Sequence, residues 1–123
     1  SEYVALPEVP QDNTLMLDTM IFSKGIEKVE YAITEKSFSP VLTGVLMKSK
    51  TEDAQHKIIF VGTDSFRLSE FKVTSSLSQD FSLIIPKVSI SDIKYLVNFA
   101  IDKEVPEMTV KYSDNLIAFE LTL

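Results

Sequence analysis

The sequence predicts an α+β fold in which two helices pack against two antiparallel sheets. Residues 19–33 and 89–101 have apolar side chains at helical spacing, and the other regular segments have the short or alternating apolar patterns of strands. The order of the elements also repeats, with strand–helix–strand–strand–strand followed by strand–helix–strand–strand. A repeated order predicts two similar units in one domain, and 123 residues suffice for one domain with a core of its own.

The first half opens on residues 1–13, whose prolines indicate a linker or an extended lead-in. A short apolar strand at 14–18 leads into the first helix, which Asp18 or Thr19 can cap. The apolar stripe expected on this helix is Ile21, Phe22, Ile26, Val29 and Ile33. The strands expected next are 41–49, 57–64 and 66–74, with a polar turn at 51–56.

The second half repeats this plan about 68 residues later. A strand at 80–86 precedes a helix at 89–101, which Ser89 or Ser91 can cap. The stripe expected on this helix is Ile90, Ile93, Leu96, Val97, Ala100 and Ile101. Strands at 106–113 and 116–123 follow, joined by a turn at Asp114–Asn115. Because this half is one strand short, we expect the outer edge of 116–123 to be unpaired and open to strand addition.

Composition excludes several kinds of site. The chain has no cysteine, which removes disulfides and thiolate chemistry, and its one histidine, His56, lies in a polar segment that favours a solvated residue over a catalytic base. The net charge of −6 argues against tight general binding of nucleic acid by this chain alone. No apolar run is long enough for a membrane span, so we expect no membrane association and a cytoplasmic location.

Three segments, in this order and spacing, carry a family resemblance. They are "PVLTGVL" at 40–46, "GTDSFRL" at 62–68 and "FSLIIPKVSISDIKYL" at 81–96, and "LPEVP" at 6–10 agrees with them. Together they resemble the middle domain of the bacterial sliding clamp, the beta subunit of DNA polymerase III. The resemblance assigns residues 14–123 to that domain, without its last strand.

The resemblance implies a fold and a function. It implies a DNA-clamp fold with both helices on one side, in a full-length protein that forms a ring-shaped homodimer around double-stranded DNA without reading its sequence. Such a ring is a processivity factor for the polymerase, with no catalytic activity, cofactor or metal of its own. We expect this isolated domain to be largely monomeric.

The resemblance also implies a pocket for short motif peptides of polymerase, clamp loader and repair proteins. The residues expected in this pocket are Leu42, Thr63, Ser65, Phe66, Arg67 and Leu68. Apolar side chains with a few orienting polar groups are what such a pocket requires. The family usually has Gly-His where this chain has Ser65-Phe66, which changes the turn and favours a more apolar peptide.

Several of these residues have a simpler interpretation. Leu42 and Leu68 also fit core positions, and Arg67 also fits a surface arginine paired with Asp64 or Glu70. The resemblance implies that Lys24, Lys28, Lys36 and Lys94 face DNA, with Phe38 beside Lys36. The helix lysines equally fit a solvated face, because acidic residues lie between them.

Two other classes of function remain open at this point. One is a stand-alone α+β domain that binds peptides or another subunit and is unrelated to replication. The other is a small hydrolase that uses Asp64 and Glu70. The hydrolase is disfavoured because the sequence has no accompanying nucleophile, phosphate loop or metal-ligand cluster.

Overall fold

The computed structural model describes residues 2–5, 13–36, 44–63, 68–113 and 117–121, and this part of the chain contains two helices and eight strands. The helices are α1 (Thr19–Lys36) and α2 (Lys87–Asp102). In chain order the strands are β1 (Glu2–Ala5), β2 (Asn13–Asp18), β3 (Gly44–Glu52), β4 (Gln55–Thr63), β5 (Leu68–Thr74), β6 (Ser82–Pro86), β7 (Glu107–Tyr112) and β8 (Ile117–Leu121). The α+β prediction is confirmed, while the placement of both helices on one side stays a prediction.

The strands form two antiparallel sheets of four. Sheet A has the order β1-β8-β7-β2, and sheet B has the order β5-β4-β3-β6. The chain divides into two compact units, one of Ser1–Ser23 with Ser91–Leu123 and the other of Lys24–Ile90. Sheet A belongs to the first unit and sheet B to the second.

The two sheets have matching connections. In each, the strand before one helix pairs with the strand after the other helix: β2 precedes α1 and pairs with β7, and β6 precedes α2 and pairs with β3. The next strands, β8 and β4, then occupy equivalent places, as do the edge strands β1 and β5. The predicted repeat of element order is therefore a repeat of sheet topology as well.

The predicted open edge at the end of the chain is wrong. Strand β1 lies along β8 from the Glu2–Leu121 pair to the Ala5–Ala118 pair, so both edges of β8 are paired. Residues 2–5, which the sequence assigns to a linker or lead-in, supply the fourth strand of sheet A. The pairing of this strand could not be predicted from the order of elements, because its partner lies more than a hundred residues away along the chain.

The inner face of sheet B packs against α1. Phe60, at the centre of β4, is fully buried, and α1 meets its ring at Gly25. A Cβ atom at Gly25 would collide with three carbons of that ring, so this position requires glycine for close approach. Ile26 and Val29, both predicted for the apolar stripe, are also buried.

The inner face of sheet A is equally apolar. Phe119 of β8 is fully buried and stacks on Phe22, with the ring centroids 5.1 Å apart. The stripe predicted for α2 is buried except for Ile101, which is half-buried. The alternation that predicted the strands thus places one face of each sheet in a core.

Local bounds differ from the prediction in a few places. Asp18 caps α1, because its Oδ1 accepts the amide of Ile21 at 2.9 Å. Helix α2 begins before either expected cap, and Ser89 is buried in its first turn. The expected turn at 51–56 is shorter, since β3 and β4 stay paired up to Glu52 and Gln55. Residues 41–43 and the turn at 114–115 lie outside the described residues.

The hairpin between β3 and β4 turns on two residues. Asp53 and Ala54 both have positive φ, 52° and 64°. A two-residue loop with positive φ at both positions is the type I′ turn that matches the twist of paired strands. It holds β3 and β4 in register over nine residue pairs, and this register determines which side chains meet on sheet B.

Candidate functional site

The segment 62–68 begins and ends on sheet B. Thr63 is the last residue of β4, Leu68 is the first residue of β5, and the two are direct cross-strand partners. The Leu68 side chain is 72% exposed, so its interpretation as a core leucine is wrong. The structure therefore places an exposed leucine beside a threonine at this end of sheet B, while their part in a pocket stays a prediction.

The register extends this pair into a row across the whole sheet. Thr63 pairs with Gly44 of β3, and Gly44 pairs with Pro86 of β6. Direct partners project from the same face, and this face is opposite the one that contains Phe60. Because Gly44 has no side chain, the row has a gap between Thr63 and Pro86, where a partner can approach the backbone.

Several predicted pocket residues lie outside the described residues. These are Leu42, Ser65, Phe66 and Arg67, and the alternative pairing of Arg67 is not tested either. The sequence in turn missed Gly44 and Pro86. The only signals for them were a glycine within a strand pattern and a proline at a strand end, and neither identifies a cross-strand neighbour.

A second row of this face continues the apolar surface. Val61 of β4 pairs with Leu46 of β3, which pairs with Ile84 of β6. Val61 and Leu46 are half-buried, and Ile84 is 72% exposed. We call Leu46, Val61, Leu68 and Ile84 the apolar zone of sheet B.

The same face becomes basic towards the β3–β4 turn. Four lysines lie there at alternate positions of their strands, which puts them on the face of the apolar zone. They are Lys48, Lys50, Lys57 and Lys72, and we call them the lysine zone. Ile59 pairs with Lys48 and with Lys72 and is only 2% exposed, as expected where aliphatic lysine stems cover an apolar side chain.

One carboxylate holds three of these lysines together. The Nζ atoms of Lys50, Lys57 and Lys72 lie 3.0, 3.2 and 3.6 Å from oxygens of Glu52. Hydrogen bonds from Lys50 and then Lys57, with the charges of Lys50 and Lys72, lower the pKa of Glu52 to about 2. Lys50 and Lys57 are direct cross-strand partners, a like-charge pair that Glu52 offsets.

The residues expected to face DNA are on the helices. Lys24 and Lys28 are exposed on one face of α1, with the exposed Glu27 beside them, and Lys94 is exposed on α2. Lys36 is the last residue of α1, and its side chain lies outside the described part of the chain. The described helix residues carry four lysines and four acidic residues, a net charge of zero, so both interpretations of these lysines remain open.

The remaining titratable groups form no further centre in the described residues. His56 lies in β4 rather than in a turn, and its Nδ1 shares a hydrogen bond with the Thr51 hydroxyl at 3.3 Å. Among the residues that the structure describes, no three His, Cys, Asp or Glu side chains are grouped to hold a metal. No helix in the described ranges is long and apolar enough to cross a membrane.

Comparison with known proteins identifies the family. Residues 16–122 match the family model for the DNA polymerase III beta subunit, central domain. A curated relative, the beta sliding clamp of Streptococcus pneumoniae serotype 4, is 32% identical over 120 residues. That alignment covers 96% of this chain and 30% of the relative, so the chain spans about a third of the curated proteins that it matches.

Solved structures agree on the fold. The DNA polymerase sliding clamp of Caulobacter crescentus superposes with a TM-score of 0.65 at 19% identity, over 94% of this chain and 34% of that one. The DNA polymerase III beta subunit of Thermotoga maritima gives 0.61 at 19% identity, over 94% and 33%. The family model and the curated relative favour neither an unrelated peptide-binding domain nor a hydrolase. The chain belongs to the bacterial sliding clamp family, the beta subunit of DNA polymerase III, and corresponds to its central domain.

Proposed function

We propose that this chain acts as the central domain of a DNA polymerase processivity clamp and carries part of its peptide-binding site. The row Leu68–Thr63–Gly44–Pro86 is the observation that supports the binding site, because it joins exposed apolar surface, a hydroxyl and a gap at one end of sheet B. Membership of the clamp family supports the role. In this proposal residues 14–123 form the domain together with strand β1 at residues 2–5, and Leu42, Ser65, Phe66 and Arg67 complete the chain's share of the pocket.

The partners in this proposal are short peptide motifs of polymerase, clamp loader and repair proteins. A peptide that carries a hydrogen-bonding side chain followed by leucine and phenylalanine can place its apolar residues against Leu68 and Pro86. Affinity is expected to be modest, with a dissociation constant of roughly 10 μM to 1 mM, since an extended peptide loses conformational freedom on binding. The domain is an accessory unit with no catalytic step of its own.

An amide-shift titration with such a peptide tests the proposal. We expect shifts at Thr63 and Leu68, and we expect Leu68→Ala to weaken binding by about 1–3 kcal/mol with little change in melting temperature, because the side chain is exposed. Tyr95→Ala is the matched control, since Tyr95 is an equally exposed apolar residue on α2. Shifts that cluster away from this row, or none at millimolar peptide, would show that the pocket is assigned wrongly.

The proposed role in the full-length protein is a ring-shaped homodimer around double-stranded DNA, located in the cytoplasm, in which Lys24, Lys28, Lys36 and Lys94 face the duplex. This domain alone is expected to be largely monomeric and to bind DNA weakly. Its net charge is −6, and a few helix lysines release few counterions, so the salt dependence should be shallow. Fluorescence anisotropy with duplex DNA at physiological salt measures this, and sub-micromolar affinity would instead indicate a dedicated nucleic-acid-binding module.

A further inference from the structure

We propose that the lysine zone of sheet B is a docking surface for an acidic segment adjacent to the apolar anchor of a partner peptide. The proposal rests on the peptide site proposed above for the position of that anchor. It adds the lysine zone, which lies further along the same face and is not part of the proposed peptide pocket.

Charge and surface chemistry together favour an acidic peptide. The solvent face of sheet B carries the four lysines of the lysine zone against two glutamates, Glu52 and Glu70, a net charge of +2 in a chain whose net charge is −6. The apolar zone lies directly beside it, with Leu68 and Ile84 each 72% exposed. A phosphate backbone would satisfy the lysines and leave these apolar side chains exposed, whereas a peptide with both acidic and apolar residues satisfies both zones.

Two of these lysines, Lys50 and Lys72, are exposed enough to exchange partners. The ion pairs of Lys50 and Lys72 with Glu52 join side chains that are 46% and 37% exposed on the lysine side. Solvent screens exposed pairs of this kind, so each contributes little to stability. A carboxylate that arrives from a partner can therefore share these lysines without first disrupting a buried network.

The strand geometry determines where the acidic residue must lie. Lys72 is four residues beyond Leu68 on β5 and projects from the same face, which places it about 13 Å away. Glu70 lies between them on that face, with its carboxylate 3.9 Å from Lys72 Nζ. A carboxylate four residues from the anchor of an extended peptide therefore meets lysines, whereas one placed two residues away meets Glu70.

Three synthetic peptides with the same leucine–phenylalanine anchor test this register. The first has glutamate four residues from the anchor, the second has glutamine there, and the third has glutamate two residues from it. We expect the first to bind the 123-residue chain about fivefold more tightly than the second, and the third to have no advantage. The advantage should disappear at molar salt, where the screening length is about 3 Å.

Matched variants locate the effect. Replacing Lys48 and Lys72 together by glutamine should abolish the preference for glutamate and leave binding of the glutamine peptide unchanged. Lys111→Gln is the control, because Lys111 also lies on a solvent-facing sheet surface and also pairs with a glutamate, Glu120 at 3.3 Å, but in sheet A. Amide spectra of the free variants show whether each one is folded.

Each possible outcome supports or overturns the inference. If the glutamine peptide binds and glutamate brings no gain, the lysine zone is not a docking surface, although the peptide site stands. If no peptide binds, both proposals are wrong. Duplex DNA that shifts the lysine-zone amides and displaces the glutamate peptide would assign the face to nucleic acid. Self-association in sedimentation that Ile84→Asp removes would assign it to a second copy of the chain, and each of these results overturns the inference.

Discussion

The two sheets have the same topology, but the described side chains of their solvent faces carry opposite net charges. On sheet A, the described charged side chains of this face are Asp18, Glu107, Glu120 and Lys111, a net charge of −2. On sheet B, the corresponding face is basic at one end and apolar at the other. The shared topology depends on the buried faces, so the exposed faces are free to differ. Among the described residues, the exposed apolar side chain on sheet A is Met16, at 46%, whereas sheet B has Leu68 and Ile84, each at 72%.

The largest expected effects test whether the buried faces are equivalent. Phe60 and Phe119 lie in corresponding strands of the two sheets, and both are fully buried. We expect Phe60→Ala and Phe119→Ala each to lower the free energy of unfolding by about 3–5 kcal/mol, because each leaves a cavity in its core. Denaturant titration measures both losses. A loss confined to one variant would show that one sheet supplies most of the stability.

A smaller loss of stability is expected from a substitution at the contact between α1 and sheet B. Gly25→Ala usually stabilises a helix by about 1 kcal/mol, but here the methyl group collides with the ring of Phe60. We expect a net loss of about 1–3 kcal/mol, since Phe60 is enclosed and cannot move aside. Lys28→Ala, an exposed change in the same helix, serves as the control.

A double-mutant cycle checks the cause of this loss. Combining Gly25→Ala with Phe60→Leu removes part of the collision, so the two losses should add to more than the loss of the double variant. Strict additivity would show that the ring of Phe60 is not what excludes a side chain at residue 25.

The smallest effect concerns the solvent face of sheet B and its dependence on pH. The neighbouring lysines lower the pKa of Glu52 from 4.5 to about 2, so the ionised carboxylate stabilises the fold above pH 4.5. That contribution is lost as the pH falls towards 2. We expect Glu52→Gln to melt slightly below the unmodified chain at pH 7 and at the same temperature near pH 2.

Salt provides the control for this pH effect. The side chain of Glu52 is 31% exposed to solvent. Molar salt should therefore largely remove the difference in melting temperature between the two proteins at pH 7. A difference that persists near pH 2 would mean that Glu52 acts through packing rather than charge.

Local patterns predicted the helices and most strands, because side-chain periodicity follows directly from which face is buried. The buried Phe22, Ile26 and Val29 were all readable from spacing. The pairing of β1 with β8 was not, since residues 2–5 carry no signal for a partner far along the chain. Helix α2 starts at Lys87, directly after Pro86, where a proline costs the helix no backbone hydrogen bond.

The candidate site was only partly predictable, for the same reason. Thr63 and Leu68 come from one short segment, so sequence alone associates them. Gly44 and Pro86 join them only through the register of three strands. The lysine zone depends on the same register, which brings together residues that are up to 24 positions apart. The spacing of residues along the chain does not predict such cross-strand neighbours.

The pairing of β1 with β8 also has a consequence for the order of folding. Sheet B is built from residues 44–86, a continuous stretch closed by the hairpin at Asp53–Ala54, so its contacts are comparatively local. Sheet A joins residues 2–5 to residues 117–121 and must close a loop that contains all of sheet B. Because contacts between distant residues form slowly, sheet B is expected to form early during synthesis. Strand β1 cannot form its pairing in sheet A until β8 has been synthesised.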